Sequence, residues 1–181
     1  MKMKNILSTI SAPFCQMNSL WLFILIAGPF TFNFYQADDI SSFPFLNFLL
    51  TKGNAILLFL WLYSVSAKAN NFLLSKGLPN KAFDNFYRLS IGIIVLFLFS
   101  IVFNMLLINT LPDNFKHIES IISALIILFF IGLIINSSIL LSSAEKEKTA
   151  ISTDYYGTFF LFLIYPIGLF FIQPRVKNIG L

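Results

Sequence analysis

Charged residues are scarce in this chain. They make up 11% of its 181 residues, while hydrophobic residues make up 57%; a soluble globular domain carries about 25% charged residues. Residues 89–108 and 120–144 contain no formal charge at all. A helix of about 20 apolar residues matches the roughly 30 Å hydrocarbon core of a bilayer and satisfies its own backbone hydrogen bonds there. The composition therefore excludes an ordinary water-soluble domain and predicts a helical membrane protein.

Motifs for catalysis, metal binding and cofactor binding are absent from the sequence as well. Cys15 is the single cysteine, which excludes a disulfide framework or a CxxC motif within one chain. We expect a buried or interfacial thiol there. The chain has one histidine and no HExxH, Walker or GxGxxG pattern. We therefore predict no catalytic residue, no metal ligand and no cofactor.

A set of polar residues offers the best alternative for an enzyme. Two acidic residues follow the first apolar segment, and three ionisable residues precede the fourth: Asp38, Asp39, Asp113, His117 and Glu119. Carboxylates and an imidazole on one side of a membrane are able to hold a metal or move protons. Solvation of the loops and capping of helices explain them more simply, so a membrane-embedded enzyme is only the third hypothesis.

A net charge of +4 raises the question of nucleic acid binding. The positive residues are spread over short loops beside apolar runs, which is the distribution that sets orientation in a membrane. We therefore expect the lipid bilayer, and no nucleic acid, as a partner. Ten Lys against two Arg, together with fourteen Asn, are typical of an A/T-rich bacterial genome.

Hydropathy divides the chain into four predicted transmembrane helices and a fifth, broken segment. We predict one all-α membrane domain, a helix bundle over residues 1–181, with no separate soluble domain. Residues 3–17 fit either a short interfacial helix or an irregular leader. The longest polar connection is expected at 68–88, with a turn at Gly77-Leu78-Pro79, and the fourth helix is expected to run on towards Lys148. The predicted apolar segments are 20–36, 46–67, 89–108, 118–142 and 157–173.

The distribution of Lys and Arg predicts the orientation. The N-terminus, the 68–88 connection and the 144–156 connection are richer in Lys and Arg than the loops at 38–52 and 109–119. Loops rich in Lys and Arg stay in the cytoplasm. We therefore expect a bacterial inner-membrane protein with a cytoplasmic N-terminus.

The fifth segment departs from the pattern of a simple membrane helix. Its most apolar part is short and is interrupted by Tyr165-Pro166-Ile167-Gly168, which favours a re-entrant or interfacial element over a full crossing. Pro166 and Gly168 are candidates for lining a solute path, because a broken helix exposes backbone groups that bind ions or substrates. A tolerated kink is the simpler interpretation.

Small and polar residues recur on one face of the fourth helix: Ser120, Ala124, Gly132 and Asn136. Small residues allow close approach of helices in lipid, and Asn is able to hydrogen-bond across the contact. This face fits a dimer interface, but packing against the third helix of the same chain is favoured, with Asn104 as the natural polar partner of Asn136.

Two stretches of sequence resemble a group of small, uncharacterised bacterial membrane proteins, common in Bacteroidetes. One is Trp61-Leu62-Tyr63-Ser64 with the following Asn70-Asn71 and Leu78-Pro79. The stronger one is Phe159-Phe160 followed by the sequence YPIGLFFIQPR at 165–175, similar to a C-terminal FF, FPIG and QPR pattern. This chain has Tyr165 where the pattern has Phe, and Leu169-Phe170 where a Trp is expected. The resemblance implies four or five membrane helices and no known activity.

These observations lead to three functional hypotheses, of which the membrane-embedded enzyme is the third. The first is a non-catalytic membrane protein that acts through helix packing with itself, as a homo-oligomer, or with a membrane protein partner. The second is a small transporter or channel for a neutral or weakly polar solute, lined by Asn104, Asn136 and the broken segment. Ionisable groups mark most transport pathways in membranes, and the predicted spans contain none beyond Lys52 near the start of the second and Glu119 near the start of the fourth.

Overall fold

The computed structural model describes residues 9, 12–26, 44–78, 80–106, 116–148, 152–165 and 167–179. In these residues the regular structure is helical throughout. Two short helical stretches, α1 (12–16) and α2 (19–26), precede five helices. The five are α3 (Pro44–Ser75), α4 (Lys81–Leu106), α5 (Lys116–Lys146), α6 (Ser152–Leu163) and α7 (Ile167–Asn178).

Three of the helices are long and apolar enough to cross a membrane. The crossing stretches are Gly53–Ser75 in α3, Lys81–Phe103 in α4 and Ser120–Lys146 in α5. They confirm the prediction of an all-helical chain suited to a bilayer. The predicted first segment, 20–36, is helical as far as residue 26, and its remainder lies outside the described residues.

The prediction of a long polar connection at residues 68–88 was wrong. α3 continues to Ser75 and α4 begins at Lys81, so only residues 76–80 separate the two helices. Apart from Lys76, the charged residues that indicated a long loop belong to the last turns of α3 and the first turns of α4. Lys68, for example, donates a hydrogen bond from Nζ to the Lys177 carbonyl at 3.3 Å. Its position shows that a polar residue at the end of a membrane helix need not interrupt that helix.

The predicted turn at Gly77 is confirmed. Gly77 has a φ of 71°, in the left-handed region that glycine adopts without steric cost. The Leu78 amide donates to the Leu73 carbonyl at 2.9 Å, which closes the end of α3. Asn80 then caps α4, because its Oδ1 accepts a hydrogen bond from the Ala82 amide at 2.9 Å.

α3 is the central helix of the bundle. Within the most apolar stretch of each long helix, the buried share is 61% in α3, 28% in α4 and 39% in α5. Trp61 and Tyr63 on α3 are fully buried. α4 and α5 pack closely against each other, and their outer faces present exposed apolar side chains such as Val95 and Leu128. That surface is the one expected to face lipid acyl chains.

α6 and α7 form a helical hairpin. The Arg175 guanidinium on α7 donates to Thr158 Oγ1 on α6 at 2.9 Å. In one continuous helix, 17 residues would separate these positions by about 25 Å. Near the apex of the hairpin, a Cβ added at Gly168 would lie 1.6 Å from the Leu161 carbonyl oxygen. The predicted interruption of the fifth segment is therefore confirmed, although Pro166 itself lies outside the described residues.

The N-terminal stretch runs along α7 in the opposite direction. Phe23 on α2 contacts Phe170, with ring centroids 5.2 Å apart, and further along the Tyr165 hydroxyl donates to the Ile26 carbonyl at 3.2 Å. α1 and α2 thereby pack along the hairpin, mainly against α7.

One end of the bundle, here called the basic end, collects most of the described positive residues. α3 and α5 end there, α4 begins there, and the hairpin both begins and ends there. Lys52 on α3 and Lys116 on α5 lie near the opposite ends of their helices. The residues at or within about two turns of the basic end are Lys68, Lys76, Lys81, Arg88, Lys146, Lys148, Arg175 and Lys177.

The close approach at Gly168 predicts a strong effect of one added methyl group. Gly168→Ala should destabilise the protein by about 2 kcal/mol or more, because overpacking costs about 1–3 kcal/mol even where side chains yield, and here the Leu161 backbone itself would have to move. Thermal unfolding of the purified protein in mild detergent, followed by circular dichroism, measures the change.

The matched control is Gly157→Ala on the same hairpin. A Cβ at Gly157 meets nothing within 4 Å, and Ala is favoured over Gly in a helix by about 0.5–1 kcal/mol. This variant should melt at or slightly above the wild-type temperature. Equal melting temperatures for the two variants would contradict the hairpin.

Candidate functional site

The candidate site is a cleft of about 550 Å³ at the basic end of the bundle. Its walls come from the last turns of α3, α5 and α7, together with the residues that follow them. They combine charged, polar and apolar side chains, so the cleft differs from the apolar surface of α4 and α5. The lining residues are Phe72, Lys76, Ala144, Glu145, Glu147, Arg175, Asn178 and Ile179.

A bidentate ion pair forms one wall of the cleft. Arg175 donates from Nε to Glu145 Oε1 at 2.6 Å and from Nη2 to Glu145 Oε2 at 2.5 Å. Parallel guanidinium–carboxylate bonds of this kind are strong and geometrically specific. Because Arg175 also bonds to Thr158, this side chain joins α5, α6 and α7. It therefore fixes the end of the hairpin against the end of α5.

A second, more exposed ion pair also lines the cleft. Lys76 Nζ lies 3.0 Å from Glu147 Oε1, and the two side chains are 45% and 53% exposed. The same ammonium lies 5.4 Å from the centre of the Phe72 ring. A pair this open to solvent contributes only about 0–1 kcal/mol to stability. Its charges are therefore more available to other groups than those of Arg175 and Glu145.

The backbone at the end of α5 presents Glu147 to the cleft. Glu147 has a φ of 49°, a left-handed conformation that costs a non-glycine residue about 1–2 kcal/mol. The Lys148 amide donates to the Ser143 carbonyl at 3.2 Å. Glu147 therefore ends the helix in the conformation that glycine usually adopts at this position. One residue earlier, Lys146 at the end of α5 pairs with Asp154 at the start of α6. The start of the hairpin therefore lies beside the end of α5.

Gln173 is buried on α7, two residues before Arg175. Its side chain forms hydrogen bonds with two other parts of the chain. Its Oε1 accepts a hydrogen bond from Trp61 Nε1 at 3.1 Å. Its Nε2 donates to the carbonyls of Phe14 at 2.7 Å and Met17 at 3.0 Å. The last carbonyls of a helix have no partner within that helix. Gln173 therefore satisfies the end of α1 and connects it to α3.

Buried hydroxyl groups join the other helices. Ser66 on α3 and Ser137 on α5 are hydrogen-bonded at 2.9 Å, and Ser142 on α5 is hydrogen-bonded to Thr158 on α6 at 3.1 Å. Within the described part of the chain, every buried side-chain nitrogen and oxygen has a hydrogen-bond partner. Some of these interior polar groups therefore join helices, whereas Ser90 and Ser138 each donate to a carbonyl one turn earlier in their own helix.

Cys15 lies at the edge of this interior. Its Sγ is 2.6 Å from Ser64 Oγ, which places α1 against α3. Burial raises the pKa of the Cys15 thiol above its ordinary value, while the hydrogen bond to Ser64 and the charge of Lys68 act in the opposite direction. Since burial is the largest effect, the thiol is neutral and weakly nucleophilic at pH 7. This environment suits a packing residue.

The sequence-predicted residues of the fourth segment do not reach the cleft. A Cβ added at Gly132 would lie 2.9 Å from Leu89 Cδ1 on α4, so Gly132 packs against a helix of its own chain. Asn136 donates from Nδ2 to the Gly132 carbonyl one turn earlier at 2.8 Å. Ser120 and Ala124, on the same face, are exposed.

None of the remaining predicted residues is among the described side chains that line the cleft. Asn104 belongs to α4, but its side chain lies outside the described part. Gly168 is buried at the apex of the hairpin, and Pro166 is not among the described residues. Of the acidic and histidine set considered for an enzyme, only the His117 side chain is described, and it is exposed. Among described residues, no group of three His, Cys, Asp or Glu is placed to hold a metal ion.

Sequence reasoning did not identify Glu145 and Arg175 as lining one cleft, or Gln173 as a buried contact of Trp61. The sequence contained two signals for them. Gln173 directly follows the apolar run 159–172, and Arg175 follows two residues later, both within the QPR pattern. The structure brings that pattern against Trp61, which belongs to the other stretch on which the resemblance rests. A buried polar residue in such a segment requires partners, but its spacing does not identify them.

The Gln173 contacts predict a selective effect of replacing its amide. Gln173→Met keeps the length of the side chain and leaves the Trp61 N–H and the α1 carbonyls without partners. We expect a loss of about 1–3 kcal/mol, the cost of an unsatisfied buried polar group, measured as a lower melting temperature in detergent.

Gln16→Met is the matched control, since Gln16 is exposed on α1. It should leave the melting temperature within about 0.5 kcal/mol of wild type, as surface substitutions usually do. A Gln173→Met protein as stable as the Gln16→Met protein would show that the amide contributes nothing to assembly of the bundle.

Comparison of the chain with models of known protein families, with curated proteins and with solved structures finds no match.

Proposed function

We propose that this chain is a non-catalytic membrane protein that acts by packing against another membrane component, either a second copy of itself or a membrane protein partner. The observation that carries the proposal is the use of the interior polar groups. Ser66, Ser137 and Gln173 bond to side chains or carbonyls of other helices. An interior organised in this way supports a rigid scaffold, whose interactions take place at its outer surfaces.

We further propose four membrane crossings and one re-entrant hairpin, with the N-terminus in the cytoplasm of a bacterial inner membrane. The distribution of charge supports this orientation, because the basic end holds eight described Lys and Arg residues and such ends stay in the cytoplasm. The contact between Thr158 and Arg175 supports a C-terminus on the same side. The 20–36 segment would supply the fourth crossing.

A specific observation favours a second candidate function, a channel or transporter for a neutral or weakly polar solute. α6 and α7 return to the end at which they began, and Gly168 contacts the Leu161 backbone near the apex. Non-helical backbone at membrane depth is tolerated where it is buried in protein or lines a water-filled cavity. In this alternative, Asn136 and the apex would contact the solute.

The orientation predicts which added cysteines react with an impermeant maleimide in intact cells. In a Cys15→Ser background, His117→Cys should be labelled from outside, and Lys148→Cys should be labelled only after the cells are opened. Both positions are exposed and lie at opposite ends of α5. The reverse pattern would invert the proposed orientation.

The hairpin predicts the location of the C-terminus. Green fluorescent protein fused after Leu181 should fluoresce, and alkaline phosphatase fused at the same position should be inactive, because both would remain in the cytoplasm. An active phosphatase with a dark fluorescent protein would establish a fifth crossing and rule out the re-entrant arrangement.

The packing role predicts a stable complex in native membranes. After chemical crosslinking in the membrane and purification in mild detergent, the chain should be recovered with itself or with a reproducible membrane protein, and Asn136→Leu should leave that recovery unchanged. Liposomes containing the protein should show no flux of small neutral solutes above empty liposomes. Flux that Asn136→Leu abolishes, with no recovered complex, would favour the transporter.

A further inference from the structure

The cleft at the basic end offers both signs of charge to one ligand. Its two cations are Lys76 and Arg175, and its two anions are Glu145 and Glu147, so the four charges cancel. Its volume of about 550 Å³ lies within the usual range of small-ligand sites, about 300–1,000 Å³. A balanced site of this kind suits a ligand that itself carries one positive and one negative charge.

The positive side of the cleft retains hydrogen-bond donors. The Lys76 ammonium lies 3.0 Å from Glu147 Oε1. An ammonium has three N–H groups, and this contact uses one of them. Among the described residues, Arg175 bonds to Glu145 and Thr158 through Nε and Nη2, so none of these bonds uses the two N–H groups of Nη1. These donors suit the oxygens of a phosphodiester.

The negative side of the cleft is provided by Glu147. Both Glu145 oxygens are engaged by Arg175, whereas the contact of Glu147 with Lys76 involves Oε1. Its Oε2 is therefore suited to accept a hydrogen bond from a primary ammonium. A quaternary ammonium has no N–H group to donate to this carboxylate. A headgroup without a cation would bring its phosphate beside Glu147, and no positive charge on the headgroup would offset the repulsion between phosphate and carboxylate.

The position of the cleft distinguishes a lipid from a free zwitterion. It opens where α3 and α5 end, the level at which membrane helices meet the headgroup region. Phe72, Ala144 and Ile179 add an apolar wall beside the charges. The glycerol and first methylene groups of a lipid would lie along that wall, and a soluble headgroup would leave it uncovered.

We propose that this cleft binds a phospholipid whose headgroup joins a phosphodiester to a primary ammonium, as in phosphatidylethanolamine. Arg175 and Lys76 hold the phosphate, and Glu147 accepts the ammonium. The proposal rests on the proposed membrane placement and is independent of which end faces the cytoplasm.

The test titrates the purified full-length protein in detergent with defined lipids and counts bound molecules by native mass spectrometry. Dioleoyl-phosphatidylethanolamine should bind about tenfold more tightly than the phosphatidylcholine or phosphatidylglycerol with the same chains, as expected for the loss of one charge-assisted hydrogen bond. Equal binding of the three lipids would overturn the headgroup assignment. Soluble glycerophosphoethanolamine binding as tightly as the lipid would overturn the lipid as the ligand.

Three variants locate the binding. Lys76→Gln and Glu147→Gln should each weaken phosphatidylethanolamine binding about tenfold, and both should fold normally because an exposed ion pair contributes little to stability. Lys81→Gln is the control, since Lys81 is exposed at the same end but does not line the cleft. If the cleft variants bound the lipid as the control does, the site would lie elsewhere. Crosslinking and cysteine labelling do not depend on this titration, so failure of this inference is distinguishable from failure of the proposed function.

Discussion

A single buried amide connects three separate parts of the chain. Gln173 on α7 accepts a hydrogen bond from Trp61 on α3 and donates to carbonyls at the end of α1. Leaving such a group without partners costs about 1–3 kcal/mol, so the contacts of Gln173 with both neighbours favour this position of α7. The amide therefore helps to position the hairpin, and the hairpin in turn places Arg175 beside α5.

The same requirement explains the rest of the interior. In a hydrocarbon environment, burial of apolar surface provides little force between helices, so packing depends on close contact and on interhelical hydrogen bonds. Ser66 with Ser137 and Ser142 with Thr158 provide such bonds, and Gly132 and Gly168 allow close approach. Helices with exposed apolar faces, as on α4 and α5, are then free to face lipid.

Charge is concentrated where the helices end. The ion pairs of Arg175 with Glu145 and of Lys76 with Glu147 lie at the basic end, where water and headgroups lower the cost of burying charge. One pair is held among three helices, and the other is open to its surroundings. The first pair joins the three helices, and the second pair is the more accessible to a ligand.

The sequence by itself determined that the chain is helical and suited to a membrane, because long uncharged runs leave the backbone no other way to satisfy its hydrogen bonds in lipid. It also determined the turn at Gly77 and the interruption near Gly168, which depend on local backbone chemistry. It misplaced the connection after Ala67, since hydropathy alone does not distinguish a polar helix end from a loop. For the fifth segment the sequence favoured a re-entrant or interfacial element, and the tertiary structure shows that it folds back on itself. Only the tertiary structure decided that Gln173 meets Trp61 and that Lys76, Glu145, Glu147 and Arg175 share one cleft. These contacts join residues about 30 to more than 100 positions apart, and their geometry follows from helix packing, which no local pattern encodes.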